Sequence, residues 1–257
     1  MEVIILPSPA EVGRMAATLV VEAVTKNARA VIGLATGSSP LATYAELAAR
    51  AQAGEVDFSH VRGFALDEYV GIPAEHPQSY LSVIRREVVE PLGMNPDLVR
   101  VPDGRAADVA AAARDYDEAI RAAGGIDVQL LGIGGNGHIG FNEPTSSFAS
   151  RTRVKTLTPR TRADNARFFE RADQVPVHCV TQGLGTIMEA RRLLLVAQGE
   201  KKAAAVKAAV EGPVSSMCPA SILQFHEHAT VIVDEAAAGL LERHDYYTYV
   251  YANKPRA

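Results

Sequence analysis

The chain has 257 residues, 47% of them hydrophobic and 22% charged, with a formal net charge of −4. That composition suits a single α/β domain over residues 1–257 with a core large enough to need no disulfides. A slight acidic excess without a basic cluster excludes nucleic acid as an expected partner, and no apolar stretch approaches the ~20 residues of a membrane span.

The opening MEVIILPSPAEVG holds one short apolar run, VIIL at 3–6, and lacks the cationic flank of a secretion signal. Periodicity predicts a helix over 9–26, a strand at 30–35 (AVIGLA), a helix over 40–53 and a strand at 61–66 (VRGFAL). Helices over 79–90 and 106–123 follow, the second stopped by Gly124-Gly125. VQLLGI at 128–133 reads as a strand, and 134–153, rich in Gly, Ser and Asn, as a long loop of the kind that is usually functional. Helices over 159–170 and 199–211 alternate with strands RLLLVA at 192–197 and ATVIVD at 229–234. The aromatic tail HDYYTYVYANKPRA is expected to pack on the body or on a neighbour. Near-continuous apolar strands alternating with helices imply a mostly parallel, doubly wound sheet covered on both faces: a three-layer α-β-α fold. Cys179 and Cys218 lack paired spacing, so no zinc or redox dithiol is expected, and a reducing cytoplasm is.

In such sheets ligands sit beyond the carboxyl ends of the strands, and three of those ends carry chemistry. After AVIGLA comes Thr36-Gly37-Ser38-Ser39-Pro40, a hydroxyl-rich turn opening a helix. Its free amides suit an anion, although an ordinary N-cap turn would look the same. After VRGFAL comes Asp67-Glu68-Tyr69, where Asp67 is a candidate base, a turn residue, or half of a paired-acid metal site. After VQLLGI comes the GGNGHIGFNEP stretch. There Glu143, held extended by Pro144, can orient one nitrogen of His138 and make the other a base. Gly132, Gly134 and Gly137 fit G-x-G-x-x-G, but Asn142-Glu143-Pro144 interrupts any helix and the downstream SRTRVKTL is basic, so a dinucleotide site is rejected. His226-Glu227-His228 would present two imidazoles on one strand face, without the further ligands a metal needs.

LDEYVG at 66–71, HPQSY at 76–80, GNGHIGFNEP at 135–144, SRTRVKTLT at 150–158 and ARFF at 166–169 together resemble the glucosamine-6-phosphate deaminase family, from about residue 3 to 240. The resemblance implies a ribose-5-phosphate-isomerase-like fold and conversion of glucosamine 6-phosphate to fructose 6-phosphate and ammonia, with no cofactor or metal. It implies Asp67 as the C2 base and His138 as the ring-opening base, with Asn136 and Glu143 beside it. Thr36, Gly37, Ser38, Ser39, Arg167 and Lys202 would form the phosphate cradle. Position 136 is aspartate in some members; asparagine here leaves Glu143 alone to supply charge. Ser146, Arg153 and Lys155 match positions that bind N-acetylglucosamine 6-phosphate between subunits in regulated members; a plain basic rim around the site mouth is the alternative. Members include hexamers and monomers, so a homo-oligomer is an open expectation. A related 6-phosphogluconolactonase would continue its Gly-His motif differently from IGFNEP, and a sugar-phosphate-sensing regulator would need a DNA-binding extension.

Overall fold

The computed structural model describes residues 1–255; Arg256 and Ala257, the end of the aromatic tail, lie outside the described residues. Ten strands are present among them: β1 (Glu2–Leu6), β2 (Val31–Leu34), β3 (Arg62–Ala65), β4 (Asp67–Tyr69), β5 (Val99–Arg100), β6 (Val128–Leu131), β7 (Arg153–Thr156), β8 (His178–Thr181), β9 (Leu193–Ala197) and β10 (Ala229–Asp234). Seven form one sheet in the order β1-β10-β9-β6-β2-β3-β5, every pair parallel. All residues of β2, β6, β9 and β10 are buried, as their unbroken apolar character requires once both faces are covered.

The helices fall close to their predicted positions. α1 (Pro9–Lys26) starts at Ser8, whose hydroxyl accepts from the Glu11 amide, and buries Val12, Ala16, Val20 and Val24 along one stripe. α2 (Leu41–Gln52) follows the Thr36–Ser39 turn. α3 (Tyr80–Ile84) runs through a π-helical turn, Arg85–Val89, into α4 (Glu90–Leu92), so the predicted 79–90 helix extends two residues further and is wider in its middle. α5 (Val109–Ala122) begins at its Asp108 cap, three residues later than the alanine run suggested. α6 (Pro159–Asn165) stops early, and Ala166–Phe168 tighten into a 3₁₀ turn. α7 (Leu184–Met188) was not foreseen, and α8 (Ala203–Val210) is entered through a 3₁₀ turn at Glu200–Lys202. α9 (Glu235–Ala238) and α10 (His244–Ala252) close the described chain. Tyr247 and Tyr251 of α10 pack against the main core, while Tyr246 and Tyr249 face outward. Among the described residues no helix is long and apolar enough to cross a membrane.

A second, three-stranded antiparallel sheet, β4-β8-β7, corrects the sequence reading in three places. Asp67-Glu68-Tyr69 is a strand, not a loop; the chain turns at Leu66 from one sheet into the other. β7 occupies RVKT within SRTRVKT, where polar composition concealed it, and β8 occupies HCVT. The small sheet folds over the carboxyl rim of the large one. The His226–His228 stretch lies before β10, not within it; His226 Nε2 meets the Ala190 carbonyl at 2.8 Å and His228 is exposed.

The topology fixes where a ligand fits. From β2 the chain winds outward to β3 and β5, then returns to β6 on the other side of β2 and winds away to β9 and β10. The reversal leaves a crevice above β2 and β6, between the Thr36–Ser39 turn and the His138 loop.

Candidate active site

A cavity of about 290 Å³ opens at that reversal point. Thr36, Gly37, Ser38, Ser39, Asp67, His138, Arg167 and Lys202 all line it. Eight positions drawn from five separate segments thus converge on one space.

Asn136 and Glu143 stand behind His138. Glu143 Oε2 lies 3.6 Å from His138 Nδ1, within ion-pair range though longer than an ordinary N–H···O bond. The same oxygen accepts from Asn136 Nδ2 at 2.7 Å, and Asn136 Oδ1 accepts from the His138 amide at 3.2 Å. Oε1 accepts from the hydroxyls of Thr158, at 3.1 Å, and Thr161. Burial alone would raise the Glu143 pKa, but His138, Thr161 and Asn136 outweigh it and hold the carboxyl down at about 2. Glu143 is therefore an anion at any physiological pH. Asparagine at 136 contributes an amide donor that orients this carboxylate without adding charge.

Gly134 and Gly140 make the loop possible. A Cβ on Gly134 would lie 2.1 Å from Cε1 of His138, so the imidazole rests directly on the Gly134 backbone. Gly140, at φ +53°, brings the loop across to β4: a Cβ there would come 2.9 Å from Thr181 Oγ1 and 3.5 Å from Asp67 Oδ2. The loop that carries His138 is thereby pressed against the strand that carries Asp67.

Asp67 is 5% exposed. Burial pushes its pKa well above the ordinary carboxylate range, and the charge of neighbouring Glu68 pushes it further. Glu68 points to the opposite face of β4, where backbone amides satisfy it, so the two acids do not converge on a metal. Among the described residues no group of three His, Cys, Asp or Glu side chains is arranged to hold a metal ion.

At the far end of the cavity, Lys202 Nζ donates to the Ile133 carbonyl at 2.6 Å. Burial lowers its pKa, the nearby Arg167 cation lowers it further, and Asp164 opposes both. The Arg167 guanidinium lies 4.7 Å above the Phe168 ring. Two cations facing a turn at the amino end of α2 make an anion cradle.

Ser146, Arg153 and Lys155 do not line this cavity. Ser146 is buried, its Oγ without a hydrogen-bond partner among the described residues, and Arg153 Nη1 donates to Asn142 Oδ1 at 2.8 Å. Ser146 and Arg153 are thus held against the body, and Lys155 is half-buried. Sequence reasoning missed Gln78, Tyr80, Phe141 and Asn165, which also line the cavity. HPQSY and FNEP carry a recognisable pattern, yet no spacing rule makes an aromatic residue a pocket wall.

Fold and site together define an α/β protein whose ligand cavity, with an anion cradle at one end, sits at the carboxyl rim of a parallel sheet. The family model described as glucosamine-6-phosphate isomerases/6-phosphogluconolactonase matches residues 9–232, and the chain belongs to that family. The glucosamine-6-phosphate deaminases of Streptomyces avermitilis and Mycolicibacterium smegmatis are each 57% identical to it over 256 residues, covering 99% of this chain and 98% of theirs. A solved monomeric glucosamine-6-phosphate deaminase superposes with a TM-score of 0.91 at 39% identity, over 93% of this chain and 100% of that one. A 6-phosphogluconolactonase from Trypanosoma cruzi reaches 0.75 at 21% identity over 94% and 97%, a likeness of fold alone.

Proposed function

We infer that the chain is an enzyme converting glucosamine 6-phosphate and water to fructose 6-phosphate and ammonia. The observation that carries this is one cavity holding a buried carboxylate, Asp67, an anion-backed imidazole, His138, and a cationic cradle, Lys202 with Arg167. The comparisons support deamination over lactone hydrolysis, since the deaminases are near relatives and the lactonase likeness is structural only.

In this reading the cradle binds the phosphate and holds the sugar with C2 over Asp67. His138 takes the proton of the C1 hydroxyl and returns one to the ring oxygen, opening the pyranose to the aldehyde; Glu143 stabilises the imidazolium formed on the way. Asp67 in its carboxylate form, a stronger base for being buried, removes the C2 proton. The C2 ammonium gives up a proton as O1 gains one, leaving a neutral enolamine. Protonated Asp67 then delivers its proton to C1, producing a C2 iminium. Water adds at C2, its two protons pass to the nitrogen, and the nitrogen departs as ammonium, leaving the ketone. Every proton has a protein or substrate acceptor, so we assign no metal or redox cofactor to the scheme.

Asp67→Asn tests it. Turnover should collapse while affinity for fructose 6-phosphate, followed by calorimetry, stays within a few-fold; loss of both together would refute the role given to Asp67. We further propose Ser146, Arg153 and Lys155 as a regulatory site for N-acetylglucosamine 6-phosphate, supported by the unpartnered Ser146 hydroxyl. Ammonia release measured with and without that sugar should differ, and identical curves would remove the proposal. A cytoplasmic setting follows from the same metabolic reading.

A further inference from the structure

Asp67 and Glu68 are adjacent on β4, and strand alternation sends their side chains to opposite faces. Glu68, 6% exposed, turns away from the cavity. Its Oε1 accepts from the backbone amides of Tyr69 at 2.8 Å and Tyr80 at 2.9 Å, and its Oε2 from the amide of Leu81 at 2.9 Å. Tyr80 and Leu81 are the first two residues of α3, whose next free amide, Ser82, is taken by the Ser79 hydroxyl at 3.1 Å. One carboxylate therefore bolts the start of a helix onto the strand that presents Asp67. Charge-assisted bonds at a helix amino end are among the stronger ones a buried carboxylate can make.

What this joint holds is a wall of the cavity. The Tyr80 ring faces the cavity and stacks on Phe141 at 6.0 Å between centroids and 14° between planes. Phe141 belongs to the loop that carries His138. Tyr80 also lies against Tyr69, at 4.9 Å, so the ring is gripped from β4 and from the loop at once.

We propose that Glu68 is a positioning residue for the reaction: by fixing the first turn of α3 to β4, it sets Tyr80 as a rigid wall against which the sugar is held. This rests on the sugar-phosphate reading of the cavity. The role is distinct from catalysis, because Glu68 touches neither the cavity nor any reacting atom; its action passes through Tyr80.

The test is a double-mutant cycle on Glu68→Gln and Tyr80→Leu, read as affinity for fructose 6-phosphate by calorimetry. Each single variant should bind about tenfold more weakly, and the double variant no more weakly than Tyr80→Leu alone, because the two act as a unit. Additive losses, or a Glu68→Gln variant with unchanged affinity, would overturn the proposal. Hydrogen exchange in the wild-type chain gives an arm that needs no variant to fold: the Tyr80 and Leu81 amides should exchange slowly, and rapid exchange would also overturn it. Affinity, not turnover, is the readout. A wild-type chain that binds fructose 6-phosphate but releases no ammonia from glucosamine 6-phosphate would refute the functional reading, and the cycle would still decide the role of Glu68.

Discussion

At position 134 a single methyl group separates a working imidazole from a displaced one. Gly134→Ala would place a Cβ 2.1 Å from the His138 ring, forcing the ring off its seat. Because a misplacement near 1 Å can cost on the order of 100-fold in rate, turnover should fall by about that factor while far-ultraviolet circular dichroism stays unchanged. Glu143→Gln should slow ring opening specifically, since the carboxylate held at about 2 would be replaced by a neutral amide beside Nδ1. Supplying an open-chain substrate analogue should restore part of the rate; no restoration would detach Glu143 from that step. At this scale much of the site was legible. His138 between glycines and Glu143 before a proline marked a candidate pair from residue chemistry alone, and the two stand 3.6 Å apart. The cradle residues Arg167 and Lys202 were legible only through resemblance, being unremarkable cations in their own segments. Tyr80 was missed as a wall because its place there depends on Glu68 and Phe141, contacts between distant segments that no local spacing records.

The longer helices announce themselves through periodic runs and the central strands through unbroken apolar ones, and here they did. β4, β7 and β8 did not, because each is at most four residues long and β7 alternates only between half-buried and exposed positions. Their stability comes from pairing with one another and from anchors elsewhere. One anchor is Asp117 on α5, 3% exposed, which accepts from the Thr152 hydroxyl, the Arg151 Nε at 3.0 Å and the Thr186 hydroxyl at 3.1 Å. It ties α5 to the entry of β7 and to α7. Asp117→Ala should cost on the order of 3 kcal/mol by urea denaturation, because it strands the buried Thr152 and Thr186 hydroxyls and removes one carboxylate partner of the partly exposed Arg151. A loss below about 0.5 kcal/mol, typical of surface substitutions, would show the anchor to be idle.

Over the whole molecule, the reversal of strand order between β2 and β6 dictates where the cavity lies, and the buried charge there has a cost in stability. Asp67 has its folded pKa raised above the unfolded value, so its favourable contribution to folding is complete below the unfolded pKa and lost as pH rises through the folded one. Asp67→Asn should therefore melt higher than wild type near neutral pH, and the gap should close as pH falls below about 3, under the ~3.9 of an unperturbed aspartate, where the carboxyl is protonated in both states. The most direct test of the account is to incubate the purified wild-type chain with glucosamine 6-phosphate in the presence of a metal chelator and to quantify both products. The account predicts ammonia and fructose 6-phosphate in equal amounts. Failure to release ammonia from a chain shown to be folded, or hydrolysis of 6-phosphogluconolactone in its place, would contradict it.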